Sequence, residues 1–352
     1  MNANSPTKKA AIAIVTYNSS GKLPDLLASL NGQDYPRELV DFIAVDNNSA
    51  DNSVKILEDS GLSFRIIQTG KNTGFCGGNN RAYELAKELK DDYLVLLNDD
   101  TIVEPDWLSR LIETAESDES VAAVQAKLML YPERELINSY GNALTFLSFA
   151  YCNEYRQPDK PVAPPFAVPY PSGAAVAIKM SALELTELFD ENFFMYHDDV
   201  DLGWRLRLAG FKILLDPRAV VYHKYSFAQA DYKYEHMEQN RLFVYFKNFR
   251  LATLLVFAPA FVVMEVGICL FAIKNGWFKF KLKGYGWLIN NFSYLLDERK
   301  KIKQLRKVSD KEIFKLMIAE IKFQEVDNFL LSKIVNPVMA VYFWLAKLII
   351  FW

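Results

Sequence analysis

Apolar runs and polar breaks alternate with a regular beat over the first hundred residues. Residues 10–15 form a short continuous apolar run that ends in Thr16-Tyr17-Asn18, and residues 23–30 follow with apolar positions at helical spacing. The unit then recurs. Residues 40–45 read as a second strand ending in Asp46-Asn47-Asn48-Ser49, 53–57 as a helix, 64–68 as a third strand, 82–89 as a helix and 92–97 as a fourth strand running into Asn98-Asp99-Asp100. Strands alternating with helices predict an α/β domain, a mostly parallel sheet with helices on both faces. Ligands of such sheets bind beyond the carboxyl ends of the strands. The clusters at Tyr17-Asn18, Asp46 to Asn48 and Asn98 to Asp100 all fall at those ends, so one cleft can collect them.

Residues 158–171 hold six prolines and read as an extended loop. Ser172-Gly173-Ala174-Ala175 leads into an apolar strand over 175–178, where small residues serve either close ligand approach or tight strand packing. After the aromatic run Phe193-Phe194-Met195-Tyr196 come three carboxylates, Asp198, Asp199 and Asp201, and then helical spacing through Leu202, Leu206 and Phe211 with Gly210 as a stop. Residues 212–215 read as a strand, Asp216-Pro217 as a turn, and 219–223 as a strand ending in His223.

The C-terminal third has a different pattern, so the α/β domain is expected over residues 1–250 and a helical, membrane-associated region over 251–352. Residues 251–273 are long enough to cross a bilayer but contain Pro259 and Glu265. Lys274, Lys279, Lys281 and Lys283 then alternate with Trp277, Phe278, Phe280, Tyr285 and Trp287, as expected at an anionic membrane surface, and 334–352 is again apolar. A helical hairpin buried in a homodimer is the alternative.

A formal net charge of −3 gives no global field for nucleic acid. Cys76, Cys152 and Cys269 are scattered without metal spacing and fit a reducing compartment. The polar residues 1–9 and the brief apolar run after them lack the pattern of a secretory signal. The protein is therefore expected at the cytoplasmic face of the cell membrane.

The candidate chemistry sits in four places. The stretch from Gly70 to Asn80 is glycine-rich, which suits either a tight turn or an anionic ligand at a helix start, and it matches neither GxGxxG nor a phosphate loop. Asn98-Asp99-Asp100-Thr101 offers strand-end oxygens to a hard divalent ion, or forms an ordinary turn. Asp198 and Asp199 at a loop-to-helix junction are either capping residues or a partly buried general base or cation site. His223 is either structural or a metal ligand.

Taken together, Val15-Thr16-Tyr17-Asn18, Val45-Asp46-Asn47-Asn48-Ser49, Asn72 through Asn80, Leu97-Asn98-Asp99-Asp100-Thr101 and Asp198 through Arg205 resemble, in order and over roughly residues 10–250, the inverting family 2 glycosyltransferases of the GT-A (Rossmann-like) fold, and most closely their rhamnosyltransferase-like branch. The resemblance implies a metal-dependent enzyme of polysaccharide biosynthesis, using Mg2+ or Mn2+, a dTDP- or UDP-sugar donor and a lipid-linked or glycan acceptor. It implies that Thr16, Tyr17, Asn18, Asp46 and Asn48 hold the nucleoside, that Asn72, Gly74 and Asn79 line the same donor site, and that Asn98-Asp99-Asp100 is the Asp-X-Asp metal motif with Asn in first place and Asp100 as chief ligand. His223 matches a residue that completes the metal site in some relatives. Asp199 becomes the base, with Asp198 beside it in the Glu place of the family motif. A non-catalytic binding or assembly protein of the same fold is the competing reading, and the Asn98 departure is its best support.

Overall fold

The computed structural model describes residues 7–225, 231–322 and 329–352. Strands β1 (Ala10–Thr16), β2 (Val40–Asp46), β3 (Phe64–Gln68) and β4 (Tyr93–Leu97) alternate with helices α1 (Leu23–Asn31), α2 (Ser53–Glu58) and α3 (Gly74–Leu89), as the apolar pattern requires. They lie side by side in parallel, in the order β3-β2-β1-β4. The chain thus winds outward from β1 and returns to its other side. The resulting switch point between β1 and β4 opens a crevice at their carboxyl ends.

Beyond β4 come β5 (Thr101–Val103), α4 (Trp107–Glu116), β6 (Val121–Leu130), β7 (Ile137–Ser139), β8 (Asn142–Leu144), β9 (Ala150–Cys152), β10 (Phe166–Ala167), β11 (Ala175–Lys179), α5 (Met180–Thr186), α6 (Asp198–Leu208) and β12 (Lys212–His223). β11 runs antiparallel between β4 and β6, while β6 and β12 are parallel. The sheet is therefore mixed, though mostly parallel among its long strands.

Alternation along each central strand divides the interior in two. Ala10, Ile12 and Ile14 face a core built with α1, α2 and α4, whereas Ala11 and Ala13 face one built with α3, α5 and α6. The second core continues without a break into α7 (Asp231–Asn248), α8 (Leu251–Lys274), α9 (Phe278–Asn290), α10 (Phe292–Leu305), α11 (Asp310–Ile313) and α12 (Asn336–Ile349). Phe257 of α8 is fully buried among Phe146, Phe249, Phe314 and Phe343.

Two elements differ from the expected ones. α3 begins at Gly74 and not at Ala82, because the glycines that read as a loop are packing positions: a Cβ on Gly78 would meet the Val15 side chain at 2.7 Å. The turn expected at Asp216-Pro217 is a register shift inside one strand, β12, held where the Asp216 carboxylate accepts from Thr114 (2.6 Å) and Arg218 (2.8 Å).

Helices α8 and residues 331–349 are each long and apolar enough to cross a membrane by length and composition. Leu255, Val262, Val266 and Leu270 of α8 and Val338, Val341, Leu345 and Leu348 of α12 are exposed, one apolar face on each helix. Glu265 does not lie on that face. It is buried against Arg241 of α7, Lys281 of α9 (2.6 Å) and Tyr285, and Glu238 joins the same group at 2.7 Å from Lys281 and 3.0 Å from Arg241.

The shared core predicts that Phe257→Ala costs about 3–5 kcal/mol. Denaturant unfolding followed by both far-ultraviolet circular dichroism and tryptophan fluorescence should show one shifted transition. Two separated transitions would show that the C-terminal helices unfold on their own.

Candidate active site

The crevice wall at β1 and β2 is a hydrogen-bonded scaffold. Thr16 donates to Asp46 Oδ1 (3.2 Å), and Asp46 Oδ2 accepts from the Ser49 amide (3.0 Å). Asn18 and Asn48 both take positive φ, which lets the chain reverse tightly after each strand. Asn18 Oδ1 accepts from Ala50 N (2.8 Å) and its own amide donates to Ser49 Oγ (2.9 Å). Of the expected donor-site residues, Tyr17, Asn18, Asn48 and Asn72 are exposed at the crevice, while Thr16, Asp46 and Asn79 are buried and engaged internally. Asn79 donates back to Phe75 O (2.9 Å) within α3, and Asn72 Oδ1 accepts from Gly74 N (2.9 Å).

Asn47, not singled out by the sequence, is the hub of this wall. Its side chain donates to Gly74 O (2.9 Å) and accepts from the Thr73 hydroxyl (2.8 Å), fixing the start of α3 to the end of β2. Gly74 has φ +73°, and a side chain there would collide with the carbonyl of Phe194. The β1–β2 wall of the crevice and the loop leading into the acidic helix therefore touch, and Cys76 N donates to the same carbonyl (3.4 Å).

At the end of β4, Asn98 N donates to Ala174 O (3.0 Å). Asp99 accepts from Ser19, and burial raises its carboxyl pKa. Lys22 Nζ reaches Asp99 Oδ1 (3.6 Å) and Asp100 Oδ2 (3.4 Å). Burial alone would raise the Asp100 carboxyl, but His223 and Lys22 bring it below the ordinary value. β5 pairs with β12 so that His223 lies opposite Thr101, and His223 Nε2 stands 3.1 Å from Asp100 Oδ1. That oxygen is buried and makes no aligned hydrogen bond among the described residues. His223 Nδ1 is 2.9 Å from Asn138 Oδ1, an acceptor for its proton, so a divalent ion between Nε2 and Asp100 Oδ1 would take the place of the Nε2 proton.

A carboxylate oxygen and an imidazole nitrogen in this relation fit a divalent ion, whose adjacent ligands at ~2.1 Å stand ~3.0 Å apart. No group of three His, Cys, Asp or Glu side chains converges among the described residues. An ion held here would draw its other ligands from water and substrate, as Mg2+ commonly does.

The acidic stretch forms the first turn of α6. The residue before the helix is His197, in the left-handed region and buried with Nε2 3.2 Å from Ser148 O, so neither Asp198 nor Asp199 is the capping residue. The three carboxylates have separate environments. Asp201 is locked between Lys247 (2.7 Å) and Arg205 (2.8 Å), which outweigh its burial and hold it at about 2. Asp198 is buried without a cation among the described residues, and burial together with the Asp199 charge pushes it well above the usual carboxylate range. Asp199 keeps a solvent-accessible edge and accepts from Val200 N (2.8 Å) and from the Gly173 amide. Burial raises it to about 7.

Because Gly173 adjoins the Ala174 carbonyl that binds Asn98, Asp199 sits at the same sheet edge as Asp100. Trp204 packs edge-on against Phe249 (4.6 Å between ring centres) and Arg205 binds the carbonyls of Thr186, Glu187 and Leu188, so both are structural. Arg241 is buried in the Glu238, Glu265 and Lys281 group.

Residues 11–183 match the family described as Glycosyl transferase family 2. Over 238 residues the chain is 27% identical to an N-acetylglucosaminyl-diphospho-decaprenol L-rhamnosyltransferase of Mycobacterium tuberculosis, covering 60% of this chain and 75% of the relative. It is 25% identical over 225 residues to Rhamnosyltransferase WbbL of Escherichia coli, covering 58% and 83% respectively. Among solved structures, the mannosyltransferase PcManGT from Pyrobaculum calidifontis, in complex with GDP-Man and Mn2+, superposes with a TM-score of 0.51 at 17% identity, over 86% of this chain and 89% of that one. With the strand-end motifs in family order on a mixed GT-A-like sheet, residues 11–183 of this chain belong to glycosyl transferase family 2.

Proposed function

We propose that the protein is a metal-dependent inverting glycosyltransferase that moves a sugar, rhamnose being the first to test, from a dTDP- or UDP-sugar to a hydroxyl of a lipid-linked or glycan acceptor in cell-surface glycan synthesis. The observation that carries this reading is the splitting of the acidic cluster. Asp201 is fixed as an anion, Asp198 is held as an acid, and Asp199 at about 7 is matched to taking up a proton near neutral pH.

In the reaction, the acceptor oxygen attacks the anomeric carbon from the face opposite the nucleoside diphosphate. Asp199 receives the hydroxyl proton as the new C–O bond forms and the bond to the diphosphate breaks. Asp100 and His223 would hold the divalent ion, which offsets charge on the departing diphosphate. Lys22 adds a cation at the same corner. Tyr17, Asn18, Asn48 and Asn72, exposed at the strand ends, form the nucleoside side of the crevice.

The relatives named for rhamnosyl transfer support that donor sugar, and the one named for a diphospho-decaprenol acceptor supports a lipid-linked acceptor. The exposed apolar faces of α8 and α12 support work at the cytoplasmic face of the membrane, where such an acceptor is reached.

Asp199→Asn should abolish transfer, measured by product mass spectrometry with dTDP-rhamnose, while calorimetric nucleotide affinity changes less than about threefold; full activity would remove Asp199 as the base. Wild-type kcat/KM should rise with pH through about 7, since the base acts deprotonated. The folded-state pKa of Asp199 lies above the unfolded value of about 3.9, so stability falls as pH rises from about 4 to 7, and the Asn variant should flatten that slope in urea titrations. Asp100→Ala should remove the Mn2+ dependence of nucleotide binding. Nucleotide binding in the wild type that ignores Mn2+ would favour the non-catalytic reading.

A further inference from the structure

Before α8, the described residues expose only three large apolar side chains, Tyr17, Val162 and Leu185, whereas α8 alone exposes seven and α12 six. On α8 they include Leu251, Leu255, Val262, Val266, Leu270 and Ile273, at spacings that keep them on one face. The opposite face, from Thr253 through Phe257, Met264 and Ile268 to Ala272, is buried. α12 packs beside it. Phe343 approaches Phe257 (6.2 Å between ring centres), Tyr342 donates to the Val256 carbonyl, and Trp352 Nε1, just beyond α12, donates to Thr253 Oγ1 (2.9 Å). The two outward apolar faces therefore adjoin.

Both helices have the length and composition of a membrane span. The packing of α8 is incompatible with that orientation. In its first turn Thr253 donates to Asp310 Oδ2 (2.6 Å), near its middle Glu265 pairs with Arg241 of α7, and just past its end Trp277 stacks on Tyr234 of α7 (5.1 Å between ring centres). α8 is thus held against the rest of the molecule from end to end. Setting it across a bilayer would carry the Asp310 and Arg306 pair, the Glu238, Arg241 and Lys281 group and α7 itself into hydrocarbon, where charge is costly. Lying flat, the helix immerses its apolar face alone.

Charge decides what covers that face. Over residues 251–290 and 329–352 the only side-chain carboxylate is Glu265, which is buried, whereas Lys274, Lys279, Lys333 and Lys347 are exposed. A second copy of the same face would oppose this cationic rim with another, while an anionic leaflet complements it. We propose that α8 and α12 form a platform lying in the plane of an anionic bilayer leaflet, apolar faces immersed and neither helix crossing, which presupposes the membrane location proposed above. Phe194, in the loop before Asp199, stacks on His236 of α7 (5.3 Å between ring centres), so the helix that backs the platform also carries that loop.

The test uses the full chain and sealed vesicles of equal parts phosphatidylcholine and phosphatidylglycerol. The protein should float with these vesicles and bind phosphatidylcholine alone at least about tenfold more weakly. Val266→Asp combined with Val341→Asp, both at exposed positions, should weaken vesicle binding about tenfold or more. Arg250→Cys and Asn275→Cys, at exposed residues flanking α8, each in a chain with Cys152→Ser and Cys269→Ser, should both react with an impermeant maleimide added outside the vesicles. The proposal is overturned by absence of vesicle binding, by equal affinity for phosphatidylcholine alone, by unchanged binding in the folded double-aspartate variant, by protection of one of the two thiols, which would mean a crossing helix, or by a dimer that the aspartates dissociate and that excludes vesicles. Nucleotide binding and its Mn2+ dependence are measured without vesicles, so failure of the platform is told apart from failure of the glycosyltransferase reading.

Discussion

The ion pair on which this molecule turns is Asp201 with Lys247. Both groups are about 99% shielded from solvent, 2.7 Å apart, and joined by Arg205 and Asn248. Burying two charges is favourable only when their geometry and remaining hydrogen bonds are nearly complete. Asp201 is met by Lys247, Arg205 and Asn248 together, and the result ties α6 to α7. α7 in turn carries Asn240, whose amide donates to the carbonyls of Met195 (3.0 Å) and Tyr196 (2.8 Å), fixing the left-handed residues from which α6 departs. The position of Asp199 thus rests in part on contacts it does not itself make.

The same tie binds the two parts of the chain. α7 faces α6 through Lys247 and faces α8 and α9 through Arg241 and Glu238. Glu265, which interrupts the long apolar stretch of α8, is spent in that contact. The outward face of the helix is left wholly apolar, and a carboxylate that would be costly in lipid is placed where two cations and a tyrosine meet it.

Much of the architecture was legible because the four early strands are short, apolar and separated by helices at ordinary spacing. The strand-end clusters were legible for the same reason, since polarity at a fixed point of a repeating unit is visible in one dimension. Less visible was β6, fully buried yet carrying Gln125 and Lys127; Lys127 is satisfied by Asp159, 32 positions away. Lys22, Asn47 and Asn138 were missed because each acts through a partner distant in sequence, with no local pattern to mark it. The glycines of α3 misled for a related reason: low helix propensity was overridden by packing against Val15 and Phe194. Conversely, the three crowded carboxylates of α6 were conspicuous, but only their surroundings separate one role from another.

The reversed direction of β11 has a consequence for how such a protein can diversify. In an all-parallel sheet every strand presents its exit to the crevice, so each working loop also leads into the next packed helix. β11 presents its entrance instead, and the proline-rich approach reaches the crevice at Gly173 only after β10, Val168 and Tyr170 have tied it to the sheet and the core. Length and composition of its mostly exposed part, residues 160–165, can change while the register of β11 against β4 and β6 stays fixed. The half of the crevice formed by β1, β2 and β4 is built from exits, so a change of length there also displaces the packed elements that follow.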